Sequence, residues 1–139
     1  MSRKTARRYA FELIFQLPFQ SDFDAAMAFD VYPEDNLPKI NLSERNFVLN
    51  TINGVCSNLY DIDGRIAENS EGWDITRLNK VDLAVLRLAV YEMIYTDTPV
   101  GISVNEAVEL AKIYSGDESG GFVNGVLNKV SNRQEGRHA

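Results

Sequence analysis

Residues 104–129, VNEAVELAKIYSGDESGGFVNGVLNK, carry the pattern that decides the fold class of this chain. Val104, Ala107, Val108, Ala111 and Tyr114 recur at three- and four-residue intervals, the spacing that gathers side chains on one side of an α-helix. Ser103 and Glu106 fit the S-x-x-E capping box that starts such a helix. Gly116, just past Tyr114, is a candidate helix stop. Beyond it Ser119 is placed to cap a second helix, with Phe122, Val123, Val126, Leu127 and Val130 as its core stripe. The stretch predicts two helices joined by a glycine- and acid-rich loop, with a polar, frayed tail from Ser131.

The same periodicity extends upstream. Asn79 reads as an N-cap with Asp82 in the first turn, where a carboxylate suits the helix dipole. The helix behind it, VDLAVLRLAVYEMIY, is apolar nearly all round and predicts a central buried element. Arg87 and Glu92 interrupt it and are expected to form an intramolecular ion pair. Val48, Ile52, Val55, Leu59, Ile62 and Ile66 predict one long amphipathic helix from Ser43, as N-cap, to Glu68, with Gly54 allowing close packing of a neighbour. Asn69–Asn79 reads as a loop or short turn. Ser21–Tyr32 predicts a weaker helix, and PEDNLP (Pro33–Pro38) a loop.

In the first segment Ala6, Ala10, Leu13, Ile14 and Leu17 form a core stripe, and Pro18 ends or nearly ends the helix. Arg3 and Arg7, and likewise Lys4 and Arg8, are four apart and are expected to share one face. Net charge is −6, against a nucleic-acid binder by its sum; setting these four bases apart leaves a body of −10. A basic tip on an acidic body suits an RNA at the tip and a basic protein elsewhere, or else is a solvated, frayed terminus. No segment alternates as a strand does, and no fixed-period repeat is present, so the expectation is all-α.

Catalytic constellations are missing. The one histidine, His138, provides for neither a Ser-His-Asp triad nor a multi-histidine zinc site. Cys56 stands beside core positions and reads as a buried, inert thiol; a lone cysteine forms no internal disulfide and suits a reducing cytoplasm. GDESGG lacks the lysine and preceding strand of a phosphate loop. The expectation is no catalytic residue, no metal and no cofactor. No apolar run approaches the ~20 residues of a membrane span, and Glu12 and Gln16 break the pattern of a secretion signal.

ARRYAFELIFQ (Ala6–Gln16), NGVCSNLYDID (Asn53–Asp63), NKVDLAVLRLAVYEM (Asn79–Met93), and the pair VNEAVELAK and FVNGVLNK resemble the NusB family of bacterial transcription antitermination factors. Phe19–Leu42 matches nothing in that pattern. Glu12 stands where the family often has glutamine and Phe15 where it often has tyrosine. Tyr114-Ser115 replaces Phe-Gly, and Gly120-Gly121 replaces a more polar pair, often containing lysine. The resemblance implies a single NusB-like helical domain over residues 1–139: an all-α, compact bundle of about six or seven helices in two helical halves, about 1–70 and 71–134.

The resemblance further implies a cytoplasmic, non-enzymatic factor that binds boxA RNA of rRNA operon leaders as a heterodimer with NusE, a small-subunit ribosomal protein. The heterodimer would join an RNA polymerase antitermination complex. Arg3, Lys4, Arg7 and Arg8 would contact phosphates. BoxA is single-stranded, so Phe122 is either a stacking platform for a base or a core anchor. Ser119 and backbone N–H groups at the helix start would take a phosphate, while Glu118 in the same loop repels one and restrains affinity. Asp82, expected at an exposed position, is either a NusE contact or a plain dipole-compensating acid. The alternatives are a helical protein-interaction adaptor of NusB-like fold with weak or lost RNA binding, and the NusB-like module of an rRNA methyltransferase, which the lack of a nucleotide-binding unit disfavours. Self-association as a homodimer stays open.

Overall fold

The apolar run from Val81 to Met93 becomes the axis around which the other helices pack. A computed structural model of the chain describes residues 3–16, 42–70 and 74–138, with side chains to Gln134. These residues form α1 (Arg3–Phe15), α2 (Leu42–Ser57), α3 (Leu59–Glu68), a 3-10 turn (Ile75–Arg77), α4 (Lys80–Tyr95), α5 (Val100–Tyr114) and α6 (Asp117–His138). No described residue lies in a strand, so the all-α expectation holds. The expectations for Leu17, Pro18, Ser21–Tyr32, Pro33–Pro38 and the His138 side chain lie outside the described residues.

Every residue of α4 from Asp82 to Val90 is buried, as are Glu92 and Met93. It packs against α1, α2, α3, α5 and α6, so both helical halves share it as their core. Each fully buried leucine or valine there contributes about 1.5–3 kcal/mol relative to exposure. Its start is set as the sequence predicts: Asn79 Oδ1 accepts from the Asp82 backbone N–H at 2.8 Å. The core stripes of α1 and α6 also follow the expected spacing, with Ala6, Ala10, Leu13 and Ile14, and Val123, Val126, Leu127 and Val130, all buried.

Five element boundaries differ from expectation. The single helix over Ser43–Glu68 is two, broken at Asn58, whose side-chain Nδ2 donates to the Gly54 carbonyl at 2.8 Å and draws the chain out of register. The chain is already helical at Leu42, so Ser43 lies inside the first turn rather than capping it. Ser103 and Glu106 form no capping box: α5 begins at Val100 behind Pro99, and the Ser103 hydroxyl is buried without a partner. Ser119 does not cap α6, which starts at Asp117 after Gly116 turns the chain at φ 127°. The tail from Ser131 continues this helix to His138 instead of fraying at once.

The buried charges of α4 also pair differently. Arg87 and Glu92 are five residues apart and so point about 140° away from one another. Arg87 donates from Nε and a terminal nitrogen to the two Asp63 oxygens at 2.9 and 2.8 Å, a forked bridge to α3. Glu92 accepts instead from Arg7 of α1. Gly54 does admit a close neighbour: a Cβ there would lie 2.2–2.5 Å from the Tyr91 ring and hydroxyl. Cys56 is half-buried against the core rather than fully enclosed, and burial pushes its thiol up.

Candidate nucleic-acid interface

α1 rises from its first turn with bases on its surface and core residues beneath. The structure separates the four bases that the sequence groups. Arg3, Lys4 and Arg8 are exposed, whereas Arg7 is 7% exposed. Arg7 Nε donates to Glu92 Oε1 at 2.7 Å in a pair buried on both sides. Its guanidinium bolts α1 to α4 and is withdrawn from the solvent in which the other three stand.

Each exposed base is oriented by a neighbour far away in sequence. The Arg3 guanidinium lies 4.1 Å from the centre of the Phe47 ring on α2, a cation–π contact. Lys4 Nζ donates to both Glu109 carboxylate oxygens on α5, at 2.8 and 2.7 Å, and this raises its pKa. Arg8 Nε donates to the Tyr114 hydroxyl at 2.9 Å, which itself donates to Glu12 Oε1 at 2.9 Å. Burial pushes the Tyr114 phenol up, and Glu12 reinforces the shift. These solvated links add little stability, because water screens them and ordering two long side chains costs entropy. Their effect is geometric, holding the cationic groups at the surface.

The second part of the predicted site is the start of α6. Asp117 and Glu118 are exposed in its first turn, where their charges already complement the helix dipole and oppose a phosphate. Ser119 is buried, and its hydroxyl donates to Ser115 Oγ at 2.8 Å, so it faces inward rather than toward a ligand. Phe122 takes an intermediate position. It packs against the core and also lines a surface groove of about 250 Å³ with Asn69, Ser70, Gly121, Gly125 and Lys129. One part of the ring thus rests on the core and another is turned to the groove.

Asp82 is corrected: it is 7% exposed, not surface-exposed. The turn before α6 folds over the start of α4 and encloses it. Burial pushes its carboxyl up, the Ser119 hydroxyl beside it pulls the other way, and Oδ1 has no partner. Sequence reasoning missed Phe47, Glu109 and Tyr114 as the residues that orient the bases. Glu109 is 105 positions from Lys4 and Tyr114 is 106 from Arg8, so no local spacing reveals them.

This arrangement defines a small helical protein with a cluster of exposed cations, Arg3, Lys4 and Arg8, on its first helix. Comparison with known proteins makes the class particular. The NusB family model matches residues 4–132, and the chain belongs to that family. It is 45% identical over 131 residues to the transcription antitermination protein NusB of Acetivibrio thermocellus, covering 94% of this chain and 88% of that protein. The corresponding protein of Natranaerobius thermophilus is 41% identical over 135 residues, covering 96% of each. Among solved structures, NusB of T. maritima matches with a TM-score of 0.82 and 33% identity over 95% of this chain and 92% of that one. A crystal structure of antitermination factors NusB and NusE in complex with dsRNA matches with a TM-score of 0.80 and 26% identity, over 94% and 96% of the two chains.

Proposed function

We propose that this protein is a bacterial transcription antitermination factor that works by binding and catalyses no reaction. In this reading it binds boxA-type single-stranded RNA of rRNA operon leaders as a heterodimer with NusE and enters an RNA polymerase antitermination complex in the cytoplasm. The observation that carries the RNA half is the set of exposed bases on α1, Lys4 and Arg8 on the side of α5 and Arg3 on the side of α2. Guanidinium and ammonium groups so placed donate to phosphate oxygens.

Arg7 contributes by fixing the helix that carries them, and its buried pair leaves it no direct share in the phosphate contacts. Phe122, on the groove, offers its ring to an unpaired base. Glu118, Asp117 and the overall charge of −6 oppose RNA, so affinity without a partner is weak. A basic ribosomal protein docked on the acidic body relieves that repulsion. Asp82, enclosed under the turn before α6, makes no direct contact with this partner.

The test is binding of a boxA-containing RNA with and without NusE at two salt concentrations. The expected result is weak binding alone, tighter binding with NusE, and affinity that falls as salt rises. Failure to bind NusE at micromolar concentration overturns the proposal. NusE binding with no RNA binding under either condition supports the helical adaptor instead.

A further inference from the structure

Gly120 and Lys112 are coupled across the α5–α6 junction. Gly120 is buried, and a Cβ built on it would stand 2.8 Å from Lys112 Cγ, 3.0 Å from Cε and 3.4 Å from Cδ. The missing side chain is therefore the bed in which the lysine stem lies. The stem is apolar and gains from this cover while its ammonium stays in water. Lys112 is exposed and has no ion pair or hydrogen bond among the described residues, although Asp117 and Glu118 stand in the neighbouring first turn of α6.

Its place matters as much as its freedom. Lys112 lies three residues on from Glu109, the partner of Lys4, and so on the adjoining side of α5. Its stem crosses α6 two residues before Phe122. It thus stands on the exposed side of α5, near the Glu109 that holds Lys4 and against the first turns of α6, which also carry Phe122. Lys4 and Arg8 share their charge with Glu109 and the Tyr114–Glu12 link, whereas Lys112 keeps a whole unshared one. An ammonium of this kind is a compact phosphate-binding charge.

We propose that Lys112 is a phosphate-binding residue that joins the two parts of the RNA surface, and that Gly120 is the positioning residue that seats it. The inference rests on the RNA-binding reading above. The experiment measures boxA-containing RNA bound to the NusE complex of the wild type, Lys112→Gln, Lys112→Arg, Gly120→Ala and the Lys112→Gln/Gly120→Ala double variant across a salt series. Lys112→Gln is expected to weaken binding several-fold and to flatten the salt slope by about 0.7, the loss of one single-strand phosphate contact. Lys112→Arg should restore most of both, and thermal unfolding of Lys112→Gln should match the wild type because the residue is exposed.

Gly120→Ala should weaken binding in the wild-type background and add nothing once Lys112 is glutamine, since the two act as one unit. Unchanged affinity and slope in Lys112→Gln, with the wild type binding normally, overturn the inference and leave the proposed function standing. Equal Gly120→Ala effects in both backgrounds overturn the seating role. A wild type that binds no RNA overturns both.

Discussion

Arg3 and Arg7 carry the same side chain one helical turn apart, yet they belong to different parts of the protein. Arg3 lies on the Phe47 face in solvent, and Arg7 is sealed against Glu92 beneath it. Removing one partner of a buried pair leaves the other charge uncompensated, at a cost of about 3–5 kcal/mol. Arg7→Ala is therefore expected to destabilise by that amount in urea titration, and Arg3→Ala by less than about 0.5 kcal/mol. Similar, small effects for the two would show that Glu92 finds another partner. Asp82 gives a prediction with a pH sign. Its folded pKa is raised, so the folded state holds that proton more tightly than the unfolded one. The resulting stability is present below the usual aspartate value of about 3.9 and is lost as pH rises through the folded pKa. Asp82→Asn removes the charge, so the variant should be more stable than the wild type at pH 7, with the gap closing below about pH 4. A gap that is constant with pH would contradict this account.

Among the elements, the periodic helices were legible because burial on one face writes itself into local spacing. Ala6, Ala10, Leu13 and Ile14 on α1 and Val123 to Val130 on α6 are examples. The α2–α3 break was not legible, because the apolar series runs straight across it: Val55, Ile62 and Ile66 are all fully buried on either side of Asn58. The bend depends on one amide reaching back to the Gly54 carbonyl, a choice that hydrophobic spacing does not register. The S-x-x-E pattern misled for a related reason. Pro99 already starts α5 one turn earlier, which leaves Ser103 as an interior helical residue. The α2–α4 contact makes the prediction at this scale. Gly54→Ala would gain up to about 1 kcal/mol in helix propensity but forces the Tyr91 ring aside, an overpacking cost of about 1–3 kcal/mol. The expected outcome is net destabilisation, together with a change in the tyrosine signal as Tyr91 leaves its stack on Tyr95 at 5.9 Å. A variant more stable than the parent would show that the ring yields freely.

For the whole molecule, the cationic surface is assembled from both halves of the chain. Lys4 and Arg8 are oriented from α5, Arg3 from α2, and the helix that bears them is fastened to α4 through Arg7. The sequence showed that bases cluster at the start of α1, but not which of them the fold would consume, because that depends on Glu92, 85 positions away. Gly116–Phe122 reads as a loop in the sequence, whereas α6 already begins at Asp117; that early start, the inward turn of Ser119 and the enclosure of Asp82 follow only from how α6 folds back on α4. The same assembly makes stability and RNA binding separable. Arg3, Lys4 and Arg8 can be removed without opening the core, whereas Arg7 cannot.

The most direct measurement is therefore boxA RNA binding to the NusE complex of the Arg3→Ala/Lys4→Ala/Arg8→Ala variant, alongside its thermal unfolding. The expected result is unfolding within a few degrees of the wild type, retained NusE binding, and RNA affinity lowered by at least tenfold, with the salt slope flatter by about 2, three lost phosphate contacts at ~0.7 each. RNA affinity and slope equal to the wild type would contradict it.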